Sequence, residues 1–153
     1  MTRKPSGRVL ILTLALVFGL AGLGSTAVEN PAAWEAAAAY LAGLPEGFNG
    51  IKGEVLKAKL DAGEQIFLLD VRQPNEFEAG RIEGALNVSV REVPKTLDRL
   101  PAAKDAPIVV VCASAVRSGY VAMALSFKGY SNVKHLAAGH IAGWEKAGYP
   151  VVK

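Results

Sequence analysis

The sequence predicts an α/β fold built on a mainly parallel sheet with helices on both faces. Two apolar runs carry that expectation, Ile66-Phe67-Leu68-Leu69 and Ile108-Val109-Val110-Val111. Continuous runs of this kind belong to strands buried on both faces, whereas a half-exposed strand alternates polar and apolar residues. Segments with helical spacing fall between the strand-like runs, and that alternation marks βαβ units. The 153 residues suffice for one domain with a substantial core plus a terminal extension.

In chain order, Asn30-Pro31 reads as an N-cap followed by proline at the first helical position. The alanine-rich stretch continues that helix through Leu41, with Trp34, Ala37 or Ala38, and Leu41 on one face, until Gly43 and Pro45 end it. Residues 28–50 are read as an N-terminal helix and linker, and residues 51–153 as the main domain. Ile51 starts a short strand, and Glu54 to Ala62 is a short helix with Val55, Leu56 and Leu60 inward. The run at 66–69 ends in Asp70, and Pro74 to Ala79 is a short helix closed by Gly80. Ala85 to Val90 is a third strand candidate, and Val93, Leu97 and Leu100 recur at helical spacing until Pro101. Behind the run at 108–111 lies a helix from Ser118 to Lys128, with Val121, Ala124 and Leu125 on one face and Gly129 as its C-cap. Val133 to Leu136 is the last strand, and a helix around Ile141 to Ala147 closes the domain.

The first 27 residues have the organisation of an export signal. Arg3, Lys4 and Arg8 form a basic start, Val9 to Leu23 is apolar apart from Thr13 and the glycines, and Ser25-Thr26-Ala27 supplies the small residues that a signal peptidase reads. The expected location is therefore periplasmic or extracellular. An uncleaved membrane anchor is the alternative, because the apolar stretch approaches the length of a spanning helix. No cysteine lies near residues 20–30, which excludes a bacterial lipoprotein anchor. The leader also accounts for the charge of the whole chain. Seventeen basic residues face fourteen acidic ones, but the excess is Arg3, Lys4 and Arg8, so the remaining body is formally neutral. The sequence pI near 9.1 thus belongs to the leader, and with no basic cluster interleaved with aromatics a nucleic-acid role is rejected.

The single cysteine, Cys112, directly follows the run at 108–111 and opens the stretch Cys112-Ala113-Ser114-Ala115-Val116-Arg117-Ser118. A thiol at the carboxyl end of a buried strand and facing a helix N-terminus meets backbone N–H groups and the positive end of a helix dipole. Both favour the nucleophilic thiolate. Most lone cysteines are small buried hydrophobes, but an Arg and a Ser five and six residues later suit an anion site better than a core. Ligands of such sheets bind outside the carboxyl ends of the strands, so Asp70 and Cys112, each ending a strand run, are expected on one rim. Arg117 could hold an anionic donor through its planar fork, or brace the loop by pairing with a carboxylate such as Asp70 or Glu76. Ser118 is read as the cap of the following helix.

These residues carry a resemblance to the rhodanese (sulfurtransferase) family, of a single-domain exported type. It rests on Leu69-Asp70-Val71-Arg72, Glu76-Phe77, Ala79-Gly80, Ile82 and Gly84-Ala85-Leu86-Asn87. The loop Cys112 to Ser118, Gly129-Tyr130, Trp144 and Gly148-Tyr149-Pro150-Val151 complete it. The resemblance implies a three-layer α/β domain around a five-stranded sheet. It also implies a cysteine that takes a sulfane sulfur from a donor such as thiosulfate or a persulfide and passes it to a thiol or cyanide-like acceptor. A protein persulfide is a further candidate partner. On this reading Cys112 is catalytic, with Ala113, Ser114, Ala115, Val116 and Arg117 around the substrate. Asp70, Arg72, Glu76 and Ser118 support the loop, Asp70 and Arg72 as an internal salt bridge or loop-bracing pair. No metal or cofactor is implied. The chain departs from the family pattern at Ala115, where glycine is usual, at Arg81, where histidine is frequent, and at Ala138-Gly139, where a glycine pair is usual.

Three other functions compete. Cysteine phosphatases and arsenate reductases of a related fold use a loop one residue longer, whereas only four residues separate Cys112 from Arg117. The shorter cradle suits one sulfur atom better than a tetrahedral oxyanion. A non-catalytic binding module would more often lack the cysteine. A redox sensor using a reactive thiolate is the third. A Cys–His pairing with His135 or His140 has no supporting motif.

Overall fold

A computed structural model describes residues 29–137 and 140–153. Residues 1–28, which include the expected export signal, and the pair Ala138-Gly139 lie outside the described residues. The order of elements is α1 (Pro31–Ala42), β1 (Gly50–Ile51), α2 (Gly53–Asp61), β2 (Phe67–Asp70), α3 (Pro74–Ala79), β3 (Leu86–Asn87), β4 (Ile108–Val111), α4 (Val116–Phe127), β5 (Val133–Leu136) and α5 (His140–Lys146).

The five strands form one sheet in the order β1-β5-β4-β2-β3, and every pairing is parallel. The two apolar runs read from the sequence, β2 and β4, are adjacent in the middle of it, with Leu69 opposite Val110 and Asp70 opposite Val111. Side chains alternate between the faces of a strand, and each face has its own core. On one, Leu69, Val71, Val110 and Cys112 pack with Val121, Ala122 and Leu125 of α4 and with Val93 and Leu100. On the other, Leu68, Val109 and Val111 pack with Leu56 of α2 and with Ile141 and Trp144 of α5. Helix α1 touches α4 edge-on through Tyr40 and Phe127, their ring centroids 5.8 Å apart. None of its residues is buried, and Trp34 and Leu41 are exposed.

Two inward positions change: Val55, read as inward on α2, is exposed, and on α4 Ala122 is buried where Ala124 is expected. Three elements change as well. The apolar spacing at 93–100 is realised as two 3-10 turns, Val93–Lys95 and Leu97–Arg99, not as one helix. Thr96 sits between them with φ −127° and ψ 30°, and its hydroxyl donates to the carbonyl of Glu92, a local bond that competes with helix continuation. β3 is two residues long: the Val88 N–H still donates to the Asp70 carbonyl, but the Val90 N–H turns to the Val71 carbonyl, and the Arg72 carbonyl takes the Asn87 amide and the Ser89 hydroxyl instead of a ladder bond. Helix α4 begins at Val116, so Ser118 lies in its first turn and is not its cap. The cap position belongs to Ala115, whose φ of 62° turns the chain into the helix two residues early.

Candidate active site

The site is built at the carboxyl ends of β2 and β4. Strand register sets Asp70 beside Val111, and the Val71 N–H donates to the Val111 carbonyl, so Asp70 and Cys112 stand on the same rim. Their side chains leave on different faces, since Cys112 belongs to the core containing Leu69 and Val71, whereas strand alternation turns Asp70 the other way.

Cys112 is fully buried, at 0% exposure. Its Sγ accepts the Ser118 N–H at 3.4 Å and donates to the Ser118 Oγ at 3.2 Å. The Ser118 hydroxyl in turn donates to the Ala115 carbonyl. The sulfur therefore sits against the first turn of α4, whose N–H groups have no intrahelical acceptor and which is the positive end of the helix dipole. Ala113, Ser114 and Val116 form the exposed crest of the loop. Ala115 takes the left-handed conformation, the strained one of the two geometries open to an alanine there. His140 bonds to the Leu136 carbonyl, and the Nδ1 of His135 is buried without a partner.

A chain of charged contacts supports this loop from below. Arg72 and Asp70 form a buried ion pair, 4% and 0% exposed, with Nη2 to Oδ2 at 2.7 Å and Nε between both carboxylate oxygens. The Arg72 fork also donates to the carbonyls of Glu76 and Gly80, one inside α3 and one just past its end. All three guanidinium nitrogens are thereby engaged, the condition under which a buried charge is tolerated. Asn87 donates its amide to the carbonyls of Asp70 and Arg72 and fixes the turn between them. Helix α3 then presents Glu76 to the loop. Its carboxylate takes both Arg117 Nη groups, at 2.7 and 2.8 Å, and also accepts the Gln73 N–H at 2.9 Å. The Arg117 fork, and then the Gln73 N–H, hold the Glu76 carboxyl down at about 2, and Glu76 in turn raises Arg117 above the ordinary guanidinium value.

The loop carrying Cys112 is thus tied through Arg117 to α3, and α3 through Arg72 to the end of β2. Of the two carboxylates open to Arg117, Asp70 is consumed by Arg72 and Glu76 makes the contact. Gln73 is a supporting residue that the sequence does not single out, and Asn87 appears there only within a motif, without a role. The polar Asn87 ending a short apolar stretch is a faint signal, but its partners lie on another strand.

Comparison with known proteins agrees with this architecture. The family model described as "Rhodanese-like domain" matches residues 53–147. The chain belongs to the rhodanese-like family. A sulfurtransferase from Allochromatium vinosum is 35% identical to this rhodanese-like protein over 104 residues, covering 68% of the chain and 94% of that relative. A thiosulfate sulfurtransferase from Actinobacillus succinogenes is 35% identical over 91 residues, covering 58% and 77%. A crystal structure of a rhodanese-related protein from Thermoplasma volcanium superimposes with a TM-score of 0.59 at 31% identity, covering 67% of this chain and 96% of that one. The expected fold, a rhodanese-type α/β domain with a five-stranded parallel sheet, is the observed one. In this rhodanese-like domain the departure at Arg81 is peripheral. Its backbone pairs with Val152, and its guanidinium lies 4.9 Å from the Phe77 ring centre.

Proposed function

We propose that this rhodanese-like protein moves a sulfane sulfur from a donor to a thiophilic acceptor through a persulfide on Cys112. The observation that carries the reading is the position of the Cys112 sulfur against the first turn of α4, with the Ser118 N–H 3.4 Å from it. An N–H directed at sulfur and a helix dipole behind it stabilise a thiolate, and afterwards a persulfide anion, without a neighbouring base. With thiosulfate, the Cys112 thiolate attacks the outer sulfur, the sulfur–sulfur bond of the donor breaks, and sulfite leaves with its electron pair. Cyanide or a thiolate then attacks the terminal sulfur of the persulfide and returns the Cys112 thiolate. Arg117 acts through the loop, because both its Nη groups are engaged by Glu76. For it to bind a donor anion directly, Glu76 would have to release it.

Intact mass after incubation with thiosulfate or an alkyl persulfide tests the reading. The expected result is a gain of one sulfur atom, lost again on adding cyanide and absent from Cys112→Ser. A folded Cys112→Ser variant that still turns over thiosulfate and cyanide would overturn it. The leader extends the proposal to location: the mature chain starts near Val28 outside the cytoplasm, and N-terminal sequencing of exported protein tests this. Recovery of the full-length chain only in membranes would show a retained anchor.

A further inference from the structure

Helix α1 is apolar on every side and buries nothing. Its residues, Pro31 to Ala42, include one charge, Glu35, and none of them is buried. Both cores of the domain close without it. A helix of that composition belongs inside a protein or in lipid. Trp34 and Leu41, two turns apart on one face, are 68% and 57% exposed, and Phe48 in the turn after α1 is 72% exposed. Among the described residues Phe48 and Trp34 are the two most exposed large apolar side chains. Successive helical residues stand about 100° apart, so Glu35 lies to one side of the Trp34–Leu41 face. Tyr40, which meets Phe127, lies to the other.

The sequence leading into α1 indicates what covers this face. No residue from Val9 to Val28 is charged, and an uncharged stretch of that length reaches across a bilayer. It ends at Glu29, and α1 begins at Pro31. No lysine or arginine falls between Arg8 and Lys52. Trp34 and Phe48 therefore follow the leader where chains concentrate aromatic side chains, at the edge of the hydrocarbon. We infer that the Trp34–Leu41 face of α1, with Phe48, seats at the surface of a phospholipid bilayer and holds the domain there. This extends the export reading to a docking surface and is independent of sulfur transfer. The contact is apolar. With Glu29, Glu35 and Glu46 in the segment and no cation, it takes a zwitterionic surface and disfavours an anionic one. Helix α4 runs from Val116 to Phe127, so the cysteine loop stands a helix length, roughly 16 Å, from the contact with α1.

Fluorescence of Trp34 tests this on the chain as cells yield it, with or without its leader; N-terminal sequencing of the same material reports the export reading separately. The other tryptophan, Trp144, is 2% exposed and gives a constant background. Vesicles of phosphatidylcholine and phosphatidylethanolamine should shift Trp34 emission to the blue, and lipids brominated near the headgroup end of the acyl chain should quench it. Trp34→Phe should abolish both effects. Leu41→Glu should lower vesicle partition of the processed chain at least ~10-fold, the scale of one large apolar side chain kept out of lipid. In a chain that retains its leader it should remove the quenching. Binding should not change with salt and should weaken when phosphatidylglycerol is added. Trp34 emission that lipid neither shifts nor quenches would overturn the inference. So would quenching that Leu41→Glu does not reduce, since the leader alone would then hold Trp34 near the bilayer. Binding that requires phosphatidylglycerol and disappears in salt would also overturn it. A blue shift present without vesicles and lost on dilution would give the face to a second copy of the chain, and the inference would fall.

Discussion

At Ala115 the chain takes φ 62° and ψ −19°, a region in which Cβ crowds the carbonyl that follows. The strain is held at the entrance to α4, beside the reactive sulfur, where local backbone strain is often retained for function. Ala115→Gly relieves the clash, and part of that gain is offset by the greater freedom of glycine in the unfolded chain. The expected result is a stabilisation of about 0.5–1 kcal/mol in chemical denaturation with an unchanged denaturant slope. Cys112→Ser is expected to leave stability within about 1 kcal/mol, because a hydroxyl can still accept the Ser118 N–H, while abolishing sulfur loading. A large loss of stability would mean that the sulfur's packing with Leu69 and Val71 dominates its role. At this scale Cys112 and Arg117 were legible because they share one contiguous stretch. The partner of Arg117 was not, since two carboxylates qualified and only the three-dimensional capture of Asp70 by Arg72 decides between them.

Between elements, the Glu76–Arg117 pair joins α3 to the cysteine loop, and its pH dependence has a definite sign. Glu76 titrates at about 2 in the folded protein, below its usual 4.5, so the folded state prefers the carboxylate. The stabilisation is fully present above about pH 5 and is lost as pH falls from there through about 2. The two side chains are 26% and 32% exposed, and solvent screening limits the pair to about 1 kcal/mol. Glu76→Gln should therefore be less stable than wild type by about that amount at pH 7, with the gap closing as pH approaches 2. Denaturant titrations across that range check it; a gap of constant size would place the contact's value outside its charge. The start of α4 and the turns at 93–100 depart from the sequence reading for local reasons. Apolar spacing does not distinguish a helix from successive 3-10 turns, and the left-handed Ala115 moves the helix start without a residue type that signals it.

For the molecule as a whole, the central strands are deeply buried, β4 at every residue and β2 at all but Phe67. Leu69 lies on β2 between β3 and β4 at 0% exposure. Leu69→Ala removes apolar atoms from a site that β-sheet neighbours keep from collapsing, with an expected loss of about 3 kcal/mol in urea unfolding. A loss under about 1 kcal/mol would mean that the core there repacks freely. The parallel α/β architecture was legible because short unbroken apolar runs, separated by helical spacing, fit little besides strands covered on both faces. The order of the strands was not, because periodicity identifies elements without saying which of them are neighbours. That order has a consequence for how the chain acquires its shape. β1 pairs with β5, Gly50 opposite His135, so the first strand of the sheet has no neighbour until the last has been made. Closing so long a loop costs entropy before any contact offsets it. This edge of the sheet therefore cannot form before residues 133–136 are in place. The sheet closes last at its earliest strand.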